Sequence, residues 1–140
     1  MNGKQTNGKL DVLVLSDIGN IPVMSEGIMD KLETDPRWIV DRSVVKTLLK
    51  MGHQVRFVAM HDKTEPLFTA VEAKKPDLVF SLSERFRGNT YYDRNIPCLL
   101  ELLELPYTGV GPDGLMLCRN KGVTKKLFSF HQIKSPEFAI

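Results

Sequence analysis

The residues best suited to chemistry lie between Leu105 and Lys126, in the stretch LPYTGVGPDGLMLCRNKGVTKK. Leu105-Pro-Tyr-Thr108 reads as a short buried strand. Gly109, Gly111 and Gly114 follow where the backbone can turn tightly or let another group come close. Two helices separated by a break come next, and Lys121 opens the second, with Thr124 and Lys125 a turn further on. A strand, a glycine loop, a short helix and then a lysine can hold a phosphate, because free amide groups and a mobile ammonium both favour anions. The spacing is neither G-x-x-x-x-G-K-[ST] nor G-x-G-x-x-G. Residue chemistry alone therefore leaves a strand–turn–helix connection with solvated lysines as the competing reading.

Other candidates sit in two connections that leave the ends of strands. Asp17 and Glu26 belong to a long one, Asp17 to Asp35, interrupted by Gly19, Pro22 and Gly27 and holding a short helix around Ser25 to Glu33. Long connections in compact domains are uncommon and often functional. The second is Ser83 to Arg94, polar and aromatic, with charges at Glu84, Arg85, Arg87, Asp93 and Arg94. In each case solvated surface acids are the plainer alternative. His53, His61 and His131 show no metal-ligand spacing with each other or with cysteine and read as surface or helix-end residues. Cys98 and Cys118 stand far apart in apolar, helix-like surroundings, which predicts buried free thiols rather than a disulfide.

The elements that must position these residues alternate. Leu10 to Ser16 is a short apolar run suited to a strand buried on both faces of a parallel sheet. Asp35-Pro36 starts a helix whose apolar face is Trp38, Val45, Leu48 and Leu49, with Val44 beside them, and Gly52 ends it. Gln54 to Met60 is the second strand. Glu65 to Lys74 is a helix with Leu67, Phe68 and Val71 facing inward, and Asp77 to Leu82 is the third strand. A helix over about Asn95 to Leu103 buries Ile96, Leu99, Leu100 and Leu103. A last helix spans Lys121 to Phe130, and Phe138-Ala-Ile140 begins another strand. Alternating strands and helices predict an α/β fold, a three-layer α/β/α Rossmann-like unit with a mostly parallel sheet of about four or five strands and right-handed crossovers.

Length and composition limit the function classes. The 140 residues suffice for one domain with a core. A net charge of +2 gives no electrostatic case for nucleic acid or membrane binding. No apolar run approaches the roughly 18 residues a membrane helix needs. The polar start, MNGKQTNGK, lacks the apolar core of a secretory signal, so residues 1–9 read as a disordered lead-in.

Several motifs in one order carry a resemblance. Pro106-Tyr-Thr-Gly-Val-Gly111 and Arg119-Asn-Lys-Gly-Val-Thr-Lys125 match the segment P-Y-T-G-x-G…M-D-K-x-x-T-K of D-alanine–D-alanine ligases and related ATP-grasp ligases, at the same distance from proline to lysine. Ile133 to Phe138 stands where that family has G-I-P-x-P-x-F, and the resemblance runs from about Leu10 onward. It implies the pre-ATP-grasp N-terminal domain over residues 10–140, a Rossmann-like layer on the substrate side of the nucleotide cleft, with the central and C-terminal ATP-grasp domains absent. It also implies that Lys121 is the cofactor-binding residue, meeting an ATP phosphate, and that ATP and magnesium serve the full-length enzyme without binding tightly here. The implied reaction is ligation of a carboxylate to an amine through an acyl-phosphate.

The substrate side departs from the family pattern. The family's histidine after the third strand is replaced near Glu84, and of its later acids only Asp93 lines up, with Tyr91, Tyr92 and Arg94 at the other positions. No glutamate of the S-x-E-x-x-V-S kind occurs between Ser16 and Asp35, leaving Asp17 as an acid of that loop. Glu84, Asp93 and Asp17 are thus the expected substrate-binding residues. Ser83 to Asn89 resembles an E-x-F-x-G-N variant, which favours a divergent carboxylate–amine ligase over one acting on D-alanine. The expected partners are a small-molecule amino-acid or carboxylate substrate in the cytoplasm and no nucleic acid or membrane, with a homodimer left open. The alternative is a non-catalytic binding or regulatory module of the same fold.

Overall fold

The computed structural model describes residues 8–137. The first seven residues of the expected lead-in and the expected strand at Phe138 to Ile140 lie outside them.

Strand β1, Asp11–Ser16, lies at the centre and is buried along its whole length. It pairs in parallel with β3, Gln54–Ala59, on one side and with β4, Leu78–Ser81, on the other. β2, Ile21–Met24, adds to the outer edge of β3 in the antiparallel sense, so the four-stranded sheet runs β2-β3-β1-β4. The alternation along β1 makes three layers. Val12 and Val14 face one cluster with Ile28, Leu32, Trp38, Val45 and Phe57, whereas Leu13 and Leu15 face another with Leu67, Val79, Ile96 and Leu100. Helices α1, Ile28–Glu33, and α2, Ile39–Lys50, close the first face, and α3, Glu65–Ala73, and α4, Asn95–Leu102, close the second. The expected α/β/α layering with a mostly parallel sheet is what the chain adopts.

Differences from expectation have local causes. β2 falls inside the connection after β1 that reads as an excursion. It has only four residues, one of them Pro22, and proline is tolerated where a strand edge faces solvent. The fifth strand at Leu105 to Thr108 is reduced to one parallel bridge, Val79 with Tyr107. Val79 N donates to Pro106 O at 2.8 Å and Thr108 N donates to Val79 O at 3.0 Å. Pro36–Trp38 forms a 3-10 turn ahead of α2, with Asp35 Oδ1 accepting from Arg37 N at 2.9 Å. Leu49 is 44 % exposed rather than inward, and the buried stripe runs Trp38, Asp41, Val45, Leu48. Its steps of three and four residues are those of a helix face, and the charge on Asp41 conceals it in the sequence. Cys98 and Cys118 are free thiols, as expected, but exposed rather than buried. The inward positions of α4 are taken by Ile96, Pro97 and Leu100.

One buried ion pair ties the start of β1 to the second helical layer. Arg56 Nε donates to Asp11 Oδ1 at 2.9 Å, and the Lys74 ammonium approaches Oδ2 at 2.6 Å, off the hydrogen-bond axis. Burial alone would raise the Asp11 carboxyl, but the contacts with Lys74 and Arg56 outweigh it and hold the group below its ordinary value.

Candidate functional site

In an open α/β sheet the ligand crevice lies outside the carboxyl ends of the strands, where the strand order reverses. Here β1 continues to β3 on one side and the chain returns to β4 on the other, so the reversal falls between β1 and β4. Asp17, Met60 to Asp62, and Ser83 to Arg87 all emerge at that end.

The three loops are bonded to each other. The buried Asp17 carboxylate accepts from Glu84 N at 2.8 Å and Arg85 N at 3.0 Å through Oδ2, and Arg85 Nε lies 3.6 Å from the same oxygen. Asn20 Oδ1 accepts from His61 N at 2.9 Å and from Asp62 N at 3.2 Å. Arg87 N donates to His61 O at 2.6 Å. Backbone groups that leave the sheet without ladder partners find them here, as buried polar groups must. Asp17 thus organises the loop after β4. The backbone of Glu84 meets it there, while the Glu84 side chain is exposed.

Asp93 lies in a second, smaller crevice of about 110 Å³, on the β4 side, with Ser81, Ser83, Thr108 and Gly109. It is 5 % exposed, and its Oδ1 has no hydrogen-bond partner among the described residues. Its Oδ2 accepts from Arg119 Nε at 2.8 Å and Nη2 at 2.5 Å. Thr108 Oγ1 accepts from Ser81 N at 3.1 Å, which fixes the turn over β4. Tyr107 donates to Glu101 Oε1 at 2.7 Å, and that hydrogen bond, with burial, pushes the phenol up to about 12. Gly109 has φ 109°, a left-handed conformation that favours glycine. A Cβ at Gly114 would meet Val110 Cγ2 at 2.3 Å, so the first turn of the following helix depends on a close approach there.

That helix is α5, Pro112–Arg119, and α6, Lys121–Phe130, follows after Asn120. Asn120 Oδ1 accepts from Val123 N at 3.1 Å, so the residue standing where the resembled family has aspartate caps α6. Lys121 is the first residue of α6. It is exposed, and its ammonium has no partner among the described residues. Thr124 Oγ1 donates within the helix pair, to Leu117 O or Asn120 O, and Lys125 Nζ donates to Pro136 O at 3.1 Å. Neither helix has a buried residue, and the Asp93–Arg119 pair links α5 to the body.

The structure brings Asp17 together with the Glu84 backbone, places Asp93 in the neighbouring crevice, and puts Lys121 on a separate helix pair. The sequence reads His61 as a surface or helix-end residue and does not single out Arg37, Asn20 or Asp41. In the structure Arg37 and His61 line the crevice beside Asp17, Asn20 braces it, and the buried Asp41 lies near enough to feel the Asp17 charge. Burial raises the Asp41 carboxyl, opposed by a hydrogen bond with Ser16 and reinforced by the Asp17 charge. A folded-state value above the unfolded one means that this contribution is full below about pH 3.8 and is lost as pH rises through the raised value. The stability difference between Asp41→Asn and the parent should therefore grow in favour of the variant from pH 4 to pH 7, read as urea midpoints. A difference independent of pH would refute it.

No family model matches the chain. An uncharacterised protein of Sinorhizobium fredii, y4sG, is 29 % identical over 113 residues, covering 75 % of this chain and 32 % of that protein. A D-alanine–D-alanine ligase of Nitratidesulfovibrio vulgaris is 31 % identical over 98 residues, 70 % of this chain and 31 % of the ligase. One from Syntrophotalea carbinolica is 29 % identical over 121 residues, 86 % of this chain and 37 % of the ligase. The chain thus spans about a third of the length of the curated relatives it matches. Among solved structures, the D-alanine–D-alanine ligase of Bacillus anthracis complexed with ATP shares the fold, with a TM-score of 0.60 and 16 % identity over 94 % of this chain and 38 % of that one. In sequence and in fold, then, the chain is similar to the N-terminal domain of D-alanine–D-alanine ligases, a D-alanine–D-alanine ligase-like pre-ATP-grasp unit.

Proposed function

We propose that the chain is the substrate-side domain of an ATP-dependent carboxylate–amine ligase working in the cytoplasm. In the full-length enzyme ATP, with magnesium, would supply the phosphoryl group that activates a substrate carboxylate, and an amine would then attack the acyl carbon with phosphate as the leaving group. The residues of this chain bind and orient. Asp17 shapes the loop that carries Glu84, Asp93 and the serines beside it line the small crevice, and Lys121 meets a nucleotide phosphate. The observation that carries the reading is Lys121 itself. Its ammonium is uncommitted among the described residues, at the start of a helix whose dipole also favours anions. The resembled structure holding ATP is in keeping with it.

The test is Lys121→Ala in the longest available form of the protein, followed by ATP titration. A charge-assisted contact is worth about 1.5–3 kcal/mol, so affinity should fall roughly ten- to a hundredfold. Unchanged affinity, with the fold intact by circular dichroism, would leave Lys121 a surface residue. The 140-residue chain alone is expected to release no ADP from ATP and magnesium above its Lys121→Ala control, because one lysine cannot supply the charge clamps that phosphoryl transfer needs. Such release would contradict the division of labour proposed here.

A second reading, a non-catalytic binding module, draws support from one feature. Two of the three substrate-side acids are engaged within the fold, Asp17 by backbone amides and Asp93 by Arg119. Retained ATP affinity in Lys121→Ala would favour it.

A further inference from the structure

The first crevice has a charge pattern that points to a particular kind of ligand. It is a half-open crevice of about 580 Å³, the size of a small-molecule site, lined by Asp17, Ile18, Gly19, Arg37, His61 and Arg85. We propose that this cavity binds an oxyanion, a carboxylate or a phosphate, carried by a small acidic substrate.

The lining side chains come from three separate parts of the chain. Arg37 belongs to the 3-10 turn before α2, His61 follows β3, and Arg85 follows β4. Asp35 Oδ2 occupies Arg37 Nε at 2.8 Å and Nη2 at 2.6 Å, which holds the guanidinium in place and leaves Nη1 outside those two bonds. His61 Nδ1 lies 3.2 Å from Asp17 O, and a carbonyl oxygen only accepts, which assigns the proton to Nδ1; in the neutral ring Nε2 is then an acceptor, so His61 shapes the crevice wall and the anion donors are the two arginines. Arg85 Nε is 3.6 Å from Asp17 Oδ2, too far for a hydrogen bond, so its donors are not saturated by that contact.

Asp17, the acid that lines the crevice among the described residues, is already engaged. Asp17 Oδ2 takes two backbone amides, and the nearest cation is Arg85. An incoming amine would have to share that carboxylate and sit beside two guanidinium groups. An oxyanion meets two arginines, whose planar donor sets suit carboxylate and phosphate. The loops are already cross-linked through Asn20, His61 and Arg87, so less ordering is needed on binding. This inference rests on the ligase reading and deepens it: the substrate of this domain carries an acidic group besides the carboxylate that reacts.

The experiment needs no ATP. The 15N-labelled 140-residue chain is titrated at constant ionic strength with succinate, with inorganic phosphate and with succinamide, the uncharged analogue of succinate. The expected result is a saturable shift of the Gly19, His61 and Arg85 amide signals with succinate or phosphate, the tighter of the two naming the oxyanion, and no saturation with succinamide. Arg85→Gln and Arg37→Gln, both at exposed side chains, should each weaken the binding about tenfold or more while leaving the circular dichroism spectrum unchanged. Saturation by succinamide at the same signals, saturation by neither anion, or unchanged affinity in both arginine variants would overturn the proposal. The two readings fail separately. Anion binding with ATP affinity indifferent to Lys121 removes the ligase reading, whereas absent anion binding with a tenfold loss in Lys121→Ala removes only this one.

Discussion

Arg119→Met is expected to destabilise the domain by about 3 kcal/mol, the low end of the range for breaking a buried ion pair by removing one partner. The asymmetry of the pair sets the figure. Asp93 is 5 % exposed, and its Oδ1 has no partner among the described residues even in the parent. Without Arg119 its Oδ2 loses both guanidinium donors as well, and a buried carboxylate is left with neither oxygen engaged. Arg119 itself is 40 % exposed at its side chain, so water already screens part of the pair, which keeps the cost from going higher. The substitution also reaches the proposed nucleotide contact, because Arg119 ends α5 two residues before Lys121. Urea unfolding should show the lower midpoint with an unchanged slope, and any ATP affinity that depends on Lys121 should fall with it. The double variant Asp93→Asn with Arg119→Met should recover part of the stability, since it removes the stranded charge. A midpoint within about 0.5 kcal/mol of the parent, the range of ordinary surface substitutions, would show that the pair is solvated and does not anchor the helix hairpin.

Phe57→Ala should cost about 3–5 kcal/mol, the usual range for emptying a buried phenylalanine site. Phe57 is fully buried, opposite Val14 on the central strand and among Val12, Leu32, Trp38 and Val45. The cavity would open between the sheet and α2, where the 3-10 turn carrying Arg37 begins, so the oxyanion crevice should loosen as well. Against a total stability of about 5–15 kcal/mol for a domain, the variant should be only marginally folded at room temperature. Differential scanning calorimetry would check it. A loss below about 1.5 kcal/mol would mean that the helical layer collapses onto the vacant site and that the sheet–helix contact is not tightly packed.

The layers follow from local pattern alone. The run Leu10 to Ser16 must be buried on both faces, the helix periods after it are plain, and the order of strands and helices leaves a parallel sheet as the solution. The span of α6, Lys121 to Phe130, is also legible in the sequence, although that Asn120 caps it is seen only in the structure. These are local properties, decided by neighbours within a few residues. The edge strand β2 is not local in that sense: four residues interrupted by Pro22 become a strand only because β3 offers an open edge. Asp41 is similar, since a helix period places it inward but only the packing of α2 over β1 buries it beside Ser16. The site divides in the same way. Lys121, Asp17, Glu84 and Asp93 are visible as residue types at the ends of elements, but what each carboxylate does depends on partners 26 to 68 residues away. Arg37, His61 and Arg85 come from three loops that follow no common spacing, and only the crossover connections, by bringing the carboxyl ends of β1, β3 and β4 to one side, make a single crevice of them.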